Sequence, residues 1–215
     1  MIGKYIRTIF RSIAPAPANW AEPGGPRIKL NLGCGRNKRA GFVNVDKFGD
    51  ADRLHDLEIF PWPCPDSAAD EVVLNHVLEH LGATPAIFRG IMRELYRVCA
   101  PGAKVHVAVP HPRHDNFLGD PTHVRVITPE VLSLFSRRNC QLWAEQGAAN
   151  SPLALYWGVD FEIRETGITL EEPWASDFSA GRIDALEVDR AVKRYNNVVS
   201  EIRMTLEAIK ERAGK

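Results

Sequence analysis

Three of the seven histidines of this chain fall in one stretch, HPRHDNFLGDPTHVRVIT at 111–128. Around His111, His114 and His123 the stretch also holds Arg113, Asp115, Asp120 and Arg125. An imidazole, with an unperturbed pKa of about 6.5, can take a proton from a hydroxyl near neutral pH. Arginine suits a carboxylate or phosphate on a bound molecule. The stretch therefore reads as a substrate-recognition loop. His123 is the first candidate for a general base and His114 the second. His111, Arg113, Asp115, Asp120 and Arg125 are the candidate substrate-binding residues. The plainer reading is that Asp120 and His123 only fix a turn around Pro121.

A second group, NHVLEHL at 75–81, carries His76, Glu79 and His80. Positions 76 and 80 are one helical turn apart if a helix begins there. Two imidazoles and a carboxylate are a plausible ligand set for a divalent metal. The reading preferred from sequence is that they line a ligand pocket without one, with Glu79 and His80 as the ligands should a metal bind.

A third feature is LNLGCGRNKRAGFVNVD at 30–46, two apolar runs around a glycine turn that end on an acid. Glycines just past a strand let backbone N–H groups approach a ligand closely. A carboxylate ending the next strand can take both hydroxyls of a ribose. The stretch reads as a nucleoside site. A dinucleotide fold wants GxGxxG opening a long helix. Here the turn is GCGRNK and the second strand begins almost at once, which counts against NAD or FAD.

These residues need a scaffold of strands and helices to bring them together. IKLNL (28–32), GFVNVD (41–46), DEVVLNHV (70–77), AKVHVAVP (103–110) and VDFEIRET (159–166) read as strands. AIFRGIMRELYRVC (86–99) has helical periodicity, and Pro101-Gly102 stop it. TPEVLSLFSRR (128–138) starts a helix with Thr128 as N-cap and Pro129 at the first position. The alternation predicts an α/β fold, a mostly parallel sheet with helices on both faces.

Composition agrees with a folded globular protein: 215 residues, 45% hydrophobic and 25% charged. Basic and acidic residues number 27 each, so neither charge balance nor any motif predicts a nucleic-acid partner. Cys34, Cys64, Cys99 and Cys140 lie apart without a CxxC pair and read as reduced thiols of a cytoplasmic protein. No apolar run approaches the roughly 18 residues of a membrane span.

The ordered series LNLGCG, GFVNVD, HDL at 55–57, PWPCPDSAAD at 61–70, NHVLEHL, LYRVCAPGAKVHVAVP at 95–110 and DPTHVRVITPEVL at 120–132 resembles class I S-adenosylmethionine-dependent methyltransferases. It resembles the branch that opens LNLGCG…GWVNVD, and departs from it mildly at Phe42 and Ala103. The resemblance implies a Rossmann-like, seven-stranded sheet and S-adenosylmethionine as cofactor, released as S-adenosylhomocysteine. It implies that Gly33, Cys34 and Gly35 face the methionine part, that Asp46 binds the ribose, and that Asp56 and Leu57 sit at the adenine. Asn75 and His76 are implied to lie under the sulfonium. Relatives with HVLEHL are expected to work without metal. The acceptor implied is a small molecule or saccharide methylated on oxygen, in envelope-polysaccharide or secondary-metabolite synthesis.

The two ends read differently. Residues 1–13 form an amphipathic pattern, Ile2, Ile6, Ile9, Phe10 and Ile13 against Lys4, Arg7 and Arg11, which suits a lid over the cofactor or a helix on the inner face of a membrane. A Pro- and Gly-rich linker completes residues 1–26. The methyltransferase domain is expected over 27–181. Over 182–215, Ala185, Val188, Val192, Tyr195, Val199, Ile202, Leu206 and Ile209 keep heptad spacing, which predicts one long helix able to self-associate through 184–213. A competing function follows from it: a non-catalytic S-adenosylmethionine-binding module that docks a partner through this coiled coil.

Overall fold

In the computed structural model, which describes residues 19–211, the apolar runs become strands as their spacing requires. IKLNL forms β1 (Ile28–Leu32), followed by β2 (Val43–Asp46), the two-residue β3 (Arg53–Leu54) and β4 (Ala69–Asn75). A 3-10 turn, Leu78–His80, leads to α1 (Pro85–Val98) and then β5 (Cys99–Pro110). Four helices come next: α2 (Asp115–Leu118), α3 (Pro129–Ser133), α4 (Arg137–Glu145) and α5 (Leu153–Trp157). The chain closes with β6 (Phe161–Leu170), α6 (Trp174–Ser179), α7 (Ala185–Arg194) and β7 (Val199–Ala208).

The strands make one seven-stranded sheet in the order β3-β2-β1-β4-β5-β7-β6. β1 to β5 run parallel, and β7 is antiparallel to both β5 and β6. The chain steps outward from β1 through β2 to β3, then returns across β1 to start β4. That reversal opens a crevice at the carboxyl ends of β1 and β4, where open α/β sheets hold ligands.

α1 forms because its apolar residues recur at helical spacing, with Thr84 capping its first turn and Pro85 opening it. Phe88, Ile91, Met92, Leu95 and Val98 are buried against the sheet. Each such side chain contributes about 1.5–3 kcal/mol by leaving water. They share a core with Leu30, Leu32, Val72, Leu74, Val105, Val107, Met204 and Leu206 from the strands.

Several sequence expectations need correction. The helix of residues 182–215 is overturned: α7 ends at Arg194, and residues 199–208 form β7 in the interior of the sheet. From Ile202 the chain alternates, with Ile202, Met204, Leu206 and Ala208 buried and Arg203 exposed. Heptad spacing and period-2 alternation overlap in this stretch, and pairing on both edges decided for the strand. Asn197, with φ +58, breaks the helical path. The proposed coiled coil, and self-association or partner docking through it, go with the helix.

Helices on both faces are not found among the described residues. On the face opposite α1, a groove is floored by Glu71, Val73, His106, Gly167, Arg203 and Thr205, strand residues with no helix over them among the described residues. Near β1 and β2 the loop after Gly33 covers this face instead. Asn31 donates to the Asn37 carbonyl at 3.0 Å and to Asn44 Oδ1 at 2.8 Å, and Asn44 donates to the carbonyls of Arg39 and Phe42. Two buried asparagines thus satisfy a loop too short for a helix.

The helix expected over 128–138 splits at Ser136, whose hydroxyl accepts from the Asn139 amide to begin α4 and donates to Glu162. The linker's far end is packed rather than extended: Trp20 is buried against Trp62 and His55. Residues 1–13, with their expected helix, lie outside the described residues. Among the described residues no helix is long and apolar enough to cross a membrane.

Candidate functional site

At the carboxyl ends of β1, β2 and β4 lies a cavity of about 230 Å³ lined by Gly33, Asp46, Asp56, Leu57, His76 and Val77, with His80 and Leu81 at its side. Gly33 adopts φ +65, and a Cβ there would stand 2.5 Å from Val77 Cγ2. Only glycine lets the turn pass this close to Val77, the second residue after β4. Gly35, at φ +51, has none of the described residues within 4 Å of where its Cβ would be. Its amide donates to Asp46 Oδ2 at 2.8 Å, and the Phe48 amide donates to Oδ1 at 3.0 Å. Two backbone donors hold the Asp46 carboxylate in place, and its remaining lone pairs are left to accept from a ligand. Asp56 is fixed likewise by the Glu58 amide at 3.0 Å.

Sequence-nominated residues divide here. Gly33, Asp46, Asp56, Leu57, His76 and His80 come together on the cavity. Cys34 is buried under the turn, where its amide donates to the Val45 carbonyl, and burial pushes its thiol pKa up. Asn75 turns to the other side and lines the groove on the uncovered sheet face. Lys47, His55, Glu58, Val77 and Leu81 also line the cavity and were not foreseen. Their only sequence signal is position: Lys47 and His55 directly follow β2 and β3, and the others lie within a few residues of a strand that ends at the site.

His76 sits at φ +54 between two acids. Its Nδ1 is 3.4 Å from Glu79 Oε1, an ion-pair distance whose angles fall short of a hydrogen bond, and its Nε2 is 2.8 Å from Glu201 Oε2. Glu79 first, and Glu201 after it, hold its pKa above the ordinary histidine value.

Much of the 111–128 stretch is spent on holding the fold. Arg113 donates to the carbonyls of Val192 and Lys193 at 3.0 and 2.8 Å, closing the C-terminus of α7. Asp115 is locked to Asn197 through its amide and through Oδ2. His114 is buried; its Nδ1 accepts from the Asn116 amide and its Nε2 lies 3.3 Å from Glu171. Arg125 donates to the Gly82 carbonyl and stacks 4.0 Å above Phe88. Asp120 Oδ1 accepts from the amide and the hydroxyl of Thr122, and these bonds hold its carboxyl below the usual range.

Two residues of the stretch remain available. His111 borders a second cavity, of about 770 Å³, between β6, β7, α6 and α7, with Ile168, Leu170, Phe178, Val188 and Ile202 among its walls. Its Nδ1 accepts from the Arg113 amide, and burial together with Arg113 and His114 lowers its pKa. His123 is tucked against His80, ring centroids 4.5 Å apart, and stacked on Phe117.

No protein-family model matches this sequence, and no curated protein matches it. Solved structures do share its fold. A SAM-dependent methyltransferase from Archaeoglobus fulgidus superposes with a TM-score of 0.54 at 19% identity, over 85% of this chain and 86% of that one. The YcgJ protein from Bacillus subtilis gives a TM-score of 0.50 at 11% identity, over 87% of this chain and 93% of that one.

Proposed function

We propose that this chain is an S-adenosylmethionine-dependent methyltransferase that acts on an oxygen of a small molecule. The observation that carries the reading is the Asp46 carboxylate, held by the Gly35 and Phe48 amides at the mouth of the β1–β4 crevice. A ribose offers two adjacent hydroxyl donors, and a fixed carboxylate at the end of β2 is the acceptor they need. Asp56 and Leu57 supply one acceptor and one apolar wall for a purine. The open side of Gly35 leaves room for the amino-acid part. The shared fold with the Archaeoglobus fulgidus methyltransferase supports the same cofactor.

The acceptor is proposed to occupy the larger cavity beyond His111, one strand along the same edge of the sheet. Its volume suits a small-molecule ligand, and its walls favour an acceptor with an apolar body over a bare saccharide. Methyl transfer then needs little from the protein beyond alignment. The acceptor oxygen must lie in line with the sulfonium, in a space closed to water, with a group to take or weaken its proton. The non-catalytic alternative loses its docking element with the heptad helix. Calorimetric titration with S-adenosylmethionine, followed by a search for methylated products among hydroxylated acceptors, tests the proposal.

A further inference from the structure

We propose that Glu79, His80 and His123 form a binding site for one divalent transition-metal ion. The sequence reading preferred no metal, and it assigned His123 to proton transfer. The fold joins the three residues. The carbonyl of Glu79 accepts from the amides of Val124 and Arg125, which pins the 111–128 loop onto the 3-10 turn after β4. As a result one ligand atom from each of Glu79, His80 and His123 lies within 4.8 Å of the others. Tetrahedral bonds of about 2.1 Å would place such atoms roughly 3.4 Å apart, a contraction within reach of small side-chain rotations.

The carboxylate points to a missing partner. Glu79 is 0% exposed, and among the described residues neither carboxylate oxygen has a hydrogen-bond partner. His76 Nδ1, at 3.4 Å from Oε1, is the one ion-pair partner of this carboxylate among the described residues, and Oε2 has none. A buried carboxylate normally collects donors or a metal, because leaving it bare is costly.

The imidazoles are set for metal by their outer bonds. His123 Nδ1 faces the Phe117 carbonyl at 2.9 Å. A carbonyl can only accept, so Nδ1 carries the proton, and in the neutral ring Nε2 keeps the lone pair. His80 Nδ1 is 2.9 Å from Thr122 Oγ1. The Thr122 hydroxyl donates its one proton to Asp120 Oδ1 at 2.6 Å, so it must accept from His80. In the neutral ring His80 Nε2 is therefore also left with its lone pair. A ring nitrogen anchored to a carbonyl or to a carboxylate-linked hydroxyl, with the other nitrogen free, is how metal-ligating histidines are oriented. Asp120 Oδ2, 3.9 Å from His123 Nε2, is the next carboxylate outward.

Two imidazoles and one carboxylate suit zinc, iron(II), cobalt(II) or manganese(II) rather than calcium. His80 also lines the smaller cavity, so the ion would border the proposed cofactor. There it could acidify a bound acceptor hydroxyl, as metals do for bound water. That consequence rests on the methyl-transfer reading; binding of the ion does not.

The test uses the full chain, stripped with chelator and titrated with cobalt(II) alone, with no cofactor or acceptor present. Wild type should take up one ion per chain, show visible ligand-field absorption without a thiolate charge-transfer band, and melt at a higher temperature. Glu79→Gln and His123→Ala should lose this uptake, and Thr122→Val should weaken it by about 10- to 100-fold. Should Glu79→Gln fail to fold, His123→Ala and Thr122→Val carry the comparison. No uptake by wild type, equal uptake by His123→Ala, or a thiolate band would each overturn the site. None of these outcomes depends on whether the chain binds S-adenosylmethionine.

Discussion

The Gly35 amide donates a 2.8 Å hydrogen bond to Asp46 Oδ2, which makes the glycine turn after β1 and the acid ending β2 a single unit. The turn positions the carboxylate, and the carboxylate in turn holds the turn open. The crevice depends on this pair, and so do the effects expected at the two glycines.

Gly33→Ala and Gly35→Ala should separate packing from conformation. Each places a side chain in the left-handed region, at a cost of about 1–2 kcal/mol. At position 33 the new methyl also meets Val77 at 2.5 Å, whereas at 35 it meets none of the described residues. Gly33→Ala should therefore lower the melting temperature more than Gly35→Ala. Equal losses in calorimetry would mean that Val77 yields freely.

Removing residues 195–215 should abolish cooperative unfolding, because β7 pairs with β5 and β6 and supplies Ile202, Met204 and Leu206 to the core. A detachable helix would leave the melting transition intact. A truncated chain that still unfolds cooperatively would contradict the strand.

His111 gives a pH signature. Its folded pKa lies below the ordinary 6.5, so the native state favours the neutral ring. The stability this provides is complete above pH 6.5 and is lost as pH falls through 6.5 toward the folded value, because the unfolded chain takes the proton first. An NMR titration should place the His111 transition below 6.5. A transition at or above 6.5 would mean the ring is solvated.

β1, β2, β4 and α1 were legible because each has one clear period, as in IKLNL before Gly33 or the helical spacing of AIFRGIMRELYRVC. β3 has two residues and no period to detect. β7 was hidden by a spacing that serves two periods, and the Asn196-Asn197 pair was the overlooked break. At the site, Gly33, Asp46 and Asp56 could be read from motif position. That Arg113 and Asp115 spend their polar atoms on residues 192–197 could not, since those partners are distant in sequence. The nearness of Glu79 to His123 was hidden for the same reason: it depends on a backbone pairing across the fold.

The most direct test of the central claim is calorimetric titration of the purified chain with S-adenosylmethionine and S-adenosylhomocysteine, for wild type and for Asp46→Ala. One cofactor should bind per chain. Asp46→Ala, shown to be folded by its melting curve, should bind about 10- to 150-fold more weakly, since a hydrogen bond to a charged group is worth roughly 1.5–3 kcal/mol. A folded wild type that binds neither compound, or an Asp46→Ala variant of unchanged affinity, would contradict the account.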